Sequence, residues 1–478
     1  MDPADFRRQA HALTDWIAAY LEQVERHPVL ARVAPGDVRR ALPGDAPETG
    51  EPFEAIVADV ERILVPALTH WNHPGFLAYF ASSASPPGIL GEYLAAALNQ
   101  QAMLWRTSPA STELEEVSLG WLRSLMGLPD AFEGVIYDTA SVSTLHALAA
   151  ARQRAVPDVG SRGLMGAPPL RVYCSEQAHS SVDKSMMTLG LGRDALQKIE
   201  TDAEFRMRPD ALEAALAADV ANGVRPVAIV ATVGTTSTTS VDPVHAIVPI
   251  AQRYGAWLHV DAAYAGAGAL VPELRPHFAG WEHADSVVMN PHKWLFTPVD
   301  LSALYCRHMP LLRAAFSLVP DYLKTAEGDA GVRNLMDTGV QLGRRFRSLK
   351  LWMVLRAFGA EGLRQILREH VRLARSFAGW VDADGRFERV APVPFSVVCF
   401  RARGDAGASP EAVDALNEHI MERVNAGGEI FLTQTKLHGR FVLRLAIGHY
   451  RTEERHVARA WALLQDALVA SQRPAPSA

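Results

Sequence analysis

Apolar side chains at Phe6, Ala10, Leu13, Ile17, Tyr20, Leu21 and Val24 recur at helical spacing, with Arg7, Arg8, Asp15 and Glu22 largely on other faces. The pattern predicts a helix over 6–24. A Pro/Gly-rich stretch over 33–52 separates it from a second helical segment at 53–65. Such an arm needs an apolar partner, and either packs on its own subunit or clasps another. From about residue 86 helical and strand-like segments alternate. Residues 226–233 are apolar on both faces, as in a central parallel strand. Asp242-Pro243 reads as N-cap and first helical position of a helix to about Tyr254. The next strand, 257–260, delivers Asp261 at its carboxyl end, a further strand ends at Asn290, and 301–307 makes one more. This alternation predicts an α/β fold with a mostly parallel sheet and helices on both faces. In such sheets ligands gather beyond the carboxyl ends of the strands.

Residues 320–339 are polar and Gly-containing and read as a long loop, a lid or binding element. Helices follow at 349–358 and 361–381, then short strands at 396–401 and 441–447, a closing helix over 452–470 and a frayed Pro/Ser tail. Composition narrows the class without naming it. The chain has 478 residues, 49% of them hydrophobic, and a net charge of −6, which gives no support for nucleic-acid or anionic-membrane binding. No apolar run is long enough to span a bilayer. Asp5, Asp15 and Glu22 interrupt any signal-peptide pattern. Cys174, Cys306 and Cys399 form neither a metal spacing nor a disulfide framework, so no metal and a cytoplasmic location are expected.

Candidate chemistry clusters at strand ends. Gly134–Tyr137 followed by Asp138-Thr139-Ala140-Ser141 reads as strand, turn and helix start, where unpaired N–H groups suit a phosphate; ordinary Ser/Thr capping explains the same residues. Asp261 suits a carboxylate that keeps a pyridine nitrogen protonated, or else a helix cap or buried ion pair. His179 suits stacking on a flat ring, or is simply a packed histidine. Lys293, in Asn290-Pro291-His292-Lys293-Trp294, follows an apolar strand, where burial can favour the neutral, nucleophilic amine. Phosphate turn, flat residue, strand-end aspartate and strand-end lysine together fit pyridoxal 5'-phosphate.

With these elements in order, the chain resembles the group II pyridoxal-phosphate decarboxylases, most closely the aromatic-L-amino-acid decarboxylases. The resemblance rests on Thr69-His70-Trp71, 76–80, Thr107-Ser108-Pro109 with Thr112-Glu113-Leu114-Glu115, 177–182, 259–266, 290–294, 342–350 and 441–447. It implies an aspartate-aminotransferase-like fold (PLP fold type I) in a homodimer with a shared active site. The implied domains are a dimer-clasping helical arm over 1–85, a large cofactor-binding α/β domain over 86–360 and a small C-terminal domain over 361–478. Lys293 then matches the Schiff-base lysine, Asp261 the ring-nitrogen partner and His179 the stacked histidine. Thr236 lies near the ring, Ala140, Ser141, Asn290 and His292 near the phosphate, and Tyr322 matches a loop tyrosine suited to protonating the substrate carbon. Trp71, Phe80, Ser82, Gln101, Met103 and Gly343 match substrate-side positions. The basic run Arg344, Arg345, Arg347 and Lys350 reads as a structural ion-pair face.

The implied reaction is decarboxylation of an aromatic L-amino acid (tryptophan, tyrosine, phenylalanine or dopa) to its amine and carbon dioxide. The chain departs from the family at Asp138, an acid beside the phosphate turn, and at Gln100–Arg106, which replaces a more apolar stretch. Gly343 leaves room for a bulky ring. Related aldehyde synthases, which add oxidative deamination, share the scaffold but often lack the loop tyrosine. An aminotransferase lacks a placed arginine for a second carboxylate, and a non-catalytic scaffold would not need Lys293.

Overall fold

The computed structural model describes residues 1–318 and 332–471. Contacts divide the chain into two compact units, Ser82–Arg375 with Ala391–Cys399, and Met1–Ala81 with Ser376–Val390 and Phe400–Ala478. The larger unit is built on a seven-stranded sheet in the order β1-β7-β6-β5-β4-β2-β3. Its strands are β1 (Glu133–Tyr137), β2 (Leu170–Ser175), β3 (Leu196–Ile199), β4 (Arg225–Thr232), β5 (Trp257–Asp261), β6 (Ser286–Met289) and β7 (Ser302–Cys306). The pairs β2–β3, β2–β4, β4–β5 and β5–β6 are parallel. Strand β7 runs antiparallel to both β6 and β1, so β1 points the same way as β6.

Every residue of β5, β6 and β7 is buried. Strands apolar on both faces require cover on both, which is why they read as unbroken apolar runs. Helix Ala140–Ala155 supplies part of that cover, with Ala147, Leu148, Ala149, Ala150 and Ala151 all buried in one cluster with Val135, Val172, Val230, Val288 and Leu304. Its alanines let the helix approach the sheet closely. Helix Ser348–Ala383 is continuous except at Gly359, whose φ of 62° and ψ of 169° break the helical path. The interruption falls between the two helices expected there.

Several expectations need correction. Helix Val244–Tyr254 begins one residue later than Asp242-Pro243 suggested, and Asp242 is not its N-cap. The Asp242 carboxylate instead accepts the N–H groups of Met207 and Thr232, each at 2.7 Å. Two buried donors from distant backbone outcompete the local cap, because leaving them unpaired would cost about 1–3 kcal/mol each. Helices Pro86–Leu98, Pro109–Met126, Pro209–Ala221 and Pro410–Gly427 had no assignment. All four open on proline, whose missing N–H costs nothing in the first turn.

In the other unit, helix Pro3–Gln23 is capped by Asp2, which accepts from Ala4 N and Asp5 N at 2.8 Å. The segment expected as one helix over 53–65 divides into an α-helix Phe53–Asp59, a π-turn Val60–Leu64 and a 3-10 turn Val65–Ala67. A four-stranded sheet runs β10-β11-β9-β8, with β8 (Phe387–Arg389), β9 (Val397–Ala402), β10 (Thr433–Leu437) and β11 (Arg440–Ala446). Helix Glu454–Ser471 closes the chain. Among the described residues no helix is long and apolar enough to cross a membrane.

Candidate active site

Because β1, β6, β5, β4 and β2 share one direction, their carboxyl ends lie on one edge of the sheet. That edge collects the candidate chemistry. Ala140 and Ser141 follow β1, Asn290, His292 and Lys293 follow β6, Asp261 ends β5, Thr236 follows β4 and His179 follows β2. A cavity of about 670 Å³ lined by Trp105, Glu116, Arg123, Phe132, Tyr305 and Arg333 contains none of these groups.

Lys293 sits on the single turn Pro291–Trp294. That turn is held by Asn290 N donating to Ala263 O at 2.9 Å and Lys293 N to Asn290 O at 3.0 Å. Trp294 anchors it from below, stacked on Tyr264 at 4.9 Å and donating Nε1–H to His370 Nδ1 at 2.9 Å. Asp261 is 6% exposed, and its Oδ1 accepts the Ala263 N–H at 3.0 Å. His179 has an exposed face, yet the surrounding protein still lowers its pKa. Lys293 adds to that lowering and the Asp261 carboxylate opposes it, so the three groups lie within electrostatic reach of one another. Ser181 N–H donates to His179 Nδ1 at 3.1 Å, which leaves the neutral ring its proton on Nε2.

The loop after β4 turns at Gly234, whose φ is 89°. A Cβ there would stand 2.6 Å from Ala265 Cβ, so only glycine lets this turn approach the segment behind Asp261. Thr235, Thr238 and Ser240 cross-link the loop through their hydroxyls, with Thr236 exposed among them.

The donors expected at a phosphate fit that group. Thr139 is the N-cap of helix Ala140–Ala155 but makes no side-chain capping bond; Val142 N–H donates to Thr139 O at 3.0 Å, and the N–H groups of Ala140 and Ser141 keep their capacity for an anion. Asn290 Oδ1 is buried without a hydrogen-bond partner; that oxygen only accepts, so it is the Nδ2 end of this amide that can serve a phosphate. His292 Nδ1 accepts from Leu301 N at 2.9 Å, so the neutral ring offers Nε2–H as a donor. Burial, then Lys293 and Lys350, push its pKa down to about 3.

Of the residues expected on the substrate side, Gln101 and Gly343 meet. Gln101 Oε1 accepts from Arg344 N at 2.6 Å, and a Cβ on Gly343 would be 3.1 Å from Gln101 Nε2. Met103 packs beside Leu104 and Met336, and Ser82 is half-buried. Trp71 and Phe80 belong to the other unit. There Trp71 packs on Phe76 at 4.3 Å, and Arg444 lies over Phe80 at 4.6 Å. Tyr322 lies outside the described residues. The basic run is paired throughout: Arg344 with Glu115, Arg345 with Glu92 and Asp300, Arg347 with Asp138 and Asp300, and Lys350 with Glu92. Sequence reasoning missed His146 and Asp300. Their partners, Val340 and Arg347, are remote in sequence, and no local spacing signals them.

Five buried histidines share one titration behaviour. Burial is the first cause in each case, lowering His70, His73, His146 and His259 to about 4 and His292 to about 3. Between pH 6.5 and about 4 the unfolded chain therefore binds protons that the native chain refuses, so stability falls as pH falls through that window. Each histidine contributes about 1.4 kcal/mol of loss per pH unit below 6.5. Urea unfolding free energies measured from pH 7.5 to 5.0 should drop steeply below 6.5. A flat profile would show that these rings ionise freely in the native state.

Comparison with known proteins agrees with this architecture. The model of the pyridoxal-dependent decarboxylase conserved domain matches residues 35–403. The chain is 39% identical to phenylacetaldehyde synthase of a Rosa hybrid cultivar, over 98% of this chain and 94% of the relative. It is 41% identical to tyrosine decarboxylase 4 of Petroselinum crispum, with the same shares covered. The crystal structure of an Oryza sativa TDC with PLP and tryptamine superposes with a TM-score of 0.96 at 39% identity, covering 99% of both chains. The chain belongs to the pyridoxal-dependent decarboxylase family. It is a PLP-dependent carboxy-lyase of fold type I, and the relatives it resembles include decarboxylases of tyrosine and tryptophan.

Proposed function

We propose that this chain decarboxylates an aromatic L-amino acid to the amine and carbon dioxide, with Lys293 as the covalent anchor of the cofactor. The observation that carries this reading is the gathering of Lys293, Asp261 and His179 within electrostatic reach at the common strand edge. Bound pyridoxal phosphate supplies an electron-poor ring that accepts the electron pair left when the carboxylate departs. Asp261 holds the ring nitrogen protonated, and His179 covers one ring face. The N–H groups of Ala140 and Ser141, with Asn290 and His292 Nε2–H, hold the phosphate, while Thr236 lies by the ring. Tyr322 is the residue that would deliver the proton to the substrate carbon. Ser82, Gln101, Met103 and Gly343 shape the side-chain pocket.

The working unit is a homodimer with a shared active site. Helix Pro86–Leu98 supports this, since Leu90, Tyr93, Leu94 and Leu98 are each 46–54% exposed along one stripe, a face that calls for a partner. A cytoplasmic location fits the three buried, unbridged cysteines. A second reading, aldehyde synthesis, is favoured by the likeness to the rose phenylacetaldehyde synthase; the tyrosine at 322 favours simple decarboxylation.

The deciding assay incubates purified protein and cofactor with tryptophan, tyrosine, phenylalanine and dopa, and measures amine, carbon dioxide, ammonia and peroxide. Amine with stoichiometric carbon dioxide and no peroxide is expected. Aldehyde, ammonia and peroxide would establish the synthase instead, and inactivity on every aromatic substrate would overturn both readings.

A further inference from the structure

Asp138 stands one residue before the N-cap of the helix whose first turn faces the proposed phosphate, where a second negative charge is unfavourable. Its carboxylate is engaged by a segment about two hundred residues later. Arg347 Nη2 lies 2.5 Å from Asp138 Oδ1, and Gln341 Nε2 donates to Oδ2 at 3.1 Å. The Arg347 contact lies off the hydrogen-bond direction, so it is an ion pair rather than an aligned bond. The Arg347 side chain is 8% exposed, and it also donates to both oxygens of Asp300 at 3.1 and 3.2 Å. Asp138 therefore helps to balance a buried guanidinium, and its own charge is offset.

Two neighbours hold the same segment. The Tyr137 hydroxyl donates to Thr338 O. Val340 N–H donates to His146 Nε2 at 3.1 Å, and His146 Nδ1 reaches Val142 O at 2.6 Å. The Tyr137 and His146 rings stack at 4.3 Å with 4° between planes. Gly339 lies against both rings, since a Cβ there would be 2.9 Å from His146 Nε2 and 3.1 Å from Tyr137 Cε1. Residues 338–347 are thus laid along the end of β1 and the helix it feeds, and Asp138 provides two of the four attachments.

We propose that Asp138 is a positioning residue that ties segment 338–347 to the phosphate turn, so that cofactor binding at Ala140–Ser141 and ordering of the segment carrying Gly343 are one event. This rests on the reading of that turn as the phosphate cradle. An acid merely tolerated beside the phosphate would repel the cofactor and leave the remote segment indifferent to it.

Amide hydrogen exchange on the full chain, with and without pyridoxal phosphate, separates these cases. The reporters are Val340 and Arg344, whose N–H groups are bonded to His146 and Gln101. In the unsubstituted protein the cofactor should slow exchange about tenfold or more both at 139–143 and at 340–347. In Asp138→Ser, protection at 139–143 should remain while protection at 340–347 shrinks to about threefold or less. Gln341→Ala, at an exposed position that the fold does not depend on, should give an intermediate loss. Equal cofactor protection of 340–347 in Asp138→Ser and the parent would overturn the tie while leaving the cradle standing. Faster exchange at 340–347 in the variant by the same factor with and without cofactor would reduce Asp138 to a structural brace, also overturning it. If the cofactor protects neither segment in the parent, the cradle reading and the tie fall together.

Discussion

Lys293→Ala should lose the covalent cofactor link and reduce amine formation by about 10³-fold or more, with unfolding free energy changed by about 1 kcal/mol or less. The fold should survive because the Lys293 side chain is only half-buried, and its turn is held by backbone bonds and by Trp294. The tryptophan is fully buried and bonded to His370. Alanine keeps every one of those contacts. The readout that matters is chemical. Borohydride should fix the cofactor to the parent protein and not to the variant, and the lysine-linked absorbance band should give way to that of free aldehyde. Cofactor still fixed by borohydride, or amine formed at a rate near the parent's, would move the anchor to another lysine.

Asp261→Asn should lower kcat by about 10²–10³-fold while the cofactor stays covalently attached. Asparagine preserves the shape and the acceptor for the Ala263 N–H, so the end of β5 keeps its geometry. What disappears is the negative charge that keeps a ring nitrogen protonated. A second signature follows from His179, whose pKa is raised by the Asp261 carboxylate against burial and Lys293. Removing that charge should depress the His179 pKa further, visible as a shift of its ring resonances. Near-normal turnover in the Asn variant with bound cofactor would remove Asp261 from the chemistry.

The chemistry was legible because each part is local. A strand end followed by Asp261, or by Asn290-Pro291-His292-Lys293, is written in consecutive residues. Topology alone brings those ends together. Strand β7 shows what local pattern cannot carry: its apolar run says that both faces are covered and nothing about direction, and it proved antiparallel to both neighbours. Asp242 failed in the opposite way. Its local pattern spelled a helix cap, and two remote N–H groups claimed the carboxylate. The role of Asp138 was hidden for the same reason, its partners Gln341 and Arg347 being distant in sequence. Among the proline-started helices, Pro209–Ala221 was hidden by its alanine-rich sequence, which carries little amphipathic contrast.

The reversal of β7 works as a spacer. Neighbouring strands lie about 4.8 Å apart, so inserting one strand between β1 and β6 separates their carboxyl ends by roughly 10 Å. Asp261, on β5 beside β6, stays one spacing from the lysine's strand. An antiparallel spacer presents its amino end at this edge, so no helix departs from it into the gap. The edge is therefore a ruler graded in strand widths, with the proposed phosphate turn at one mark, the lysine two marks on and the aspartate at the third. Its length is set by backbone hydrogen bonds rather than side chains, which leaves the pocket residues free to vary without disturbing the distances the reaction needs.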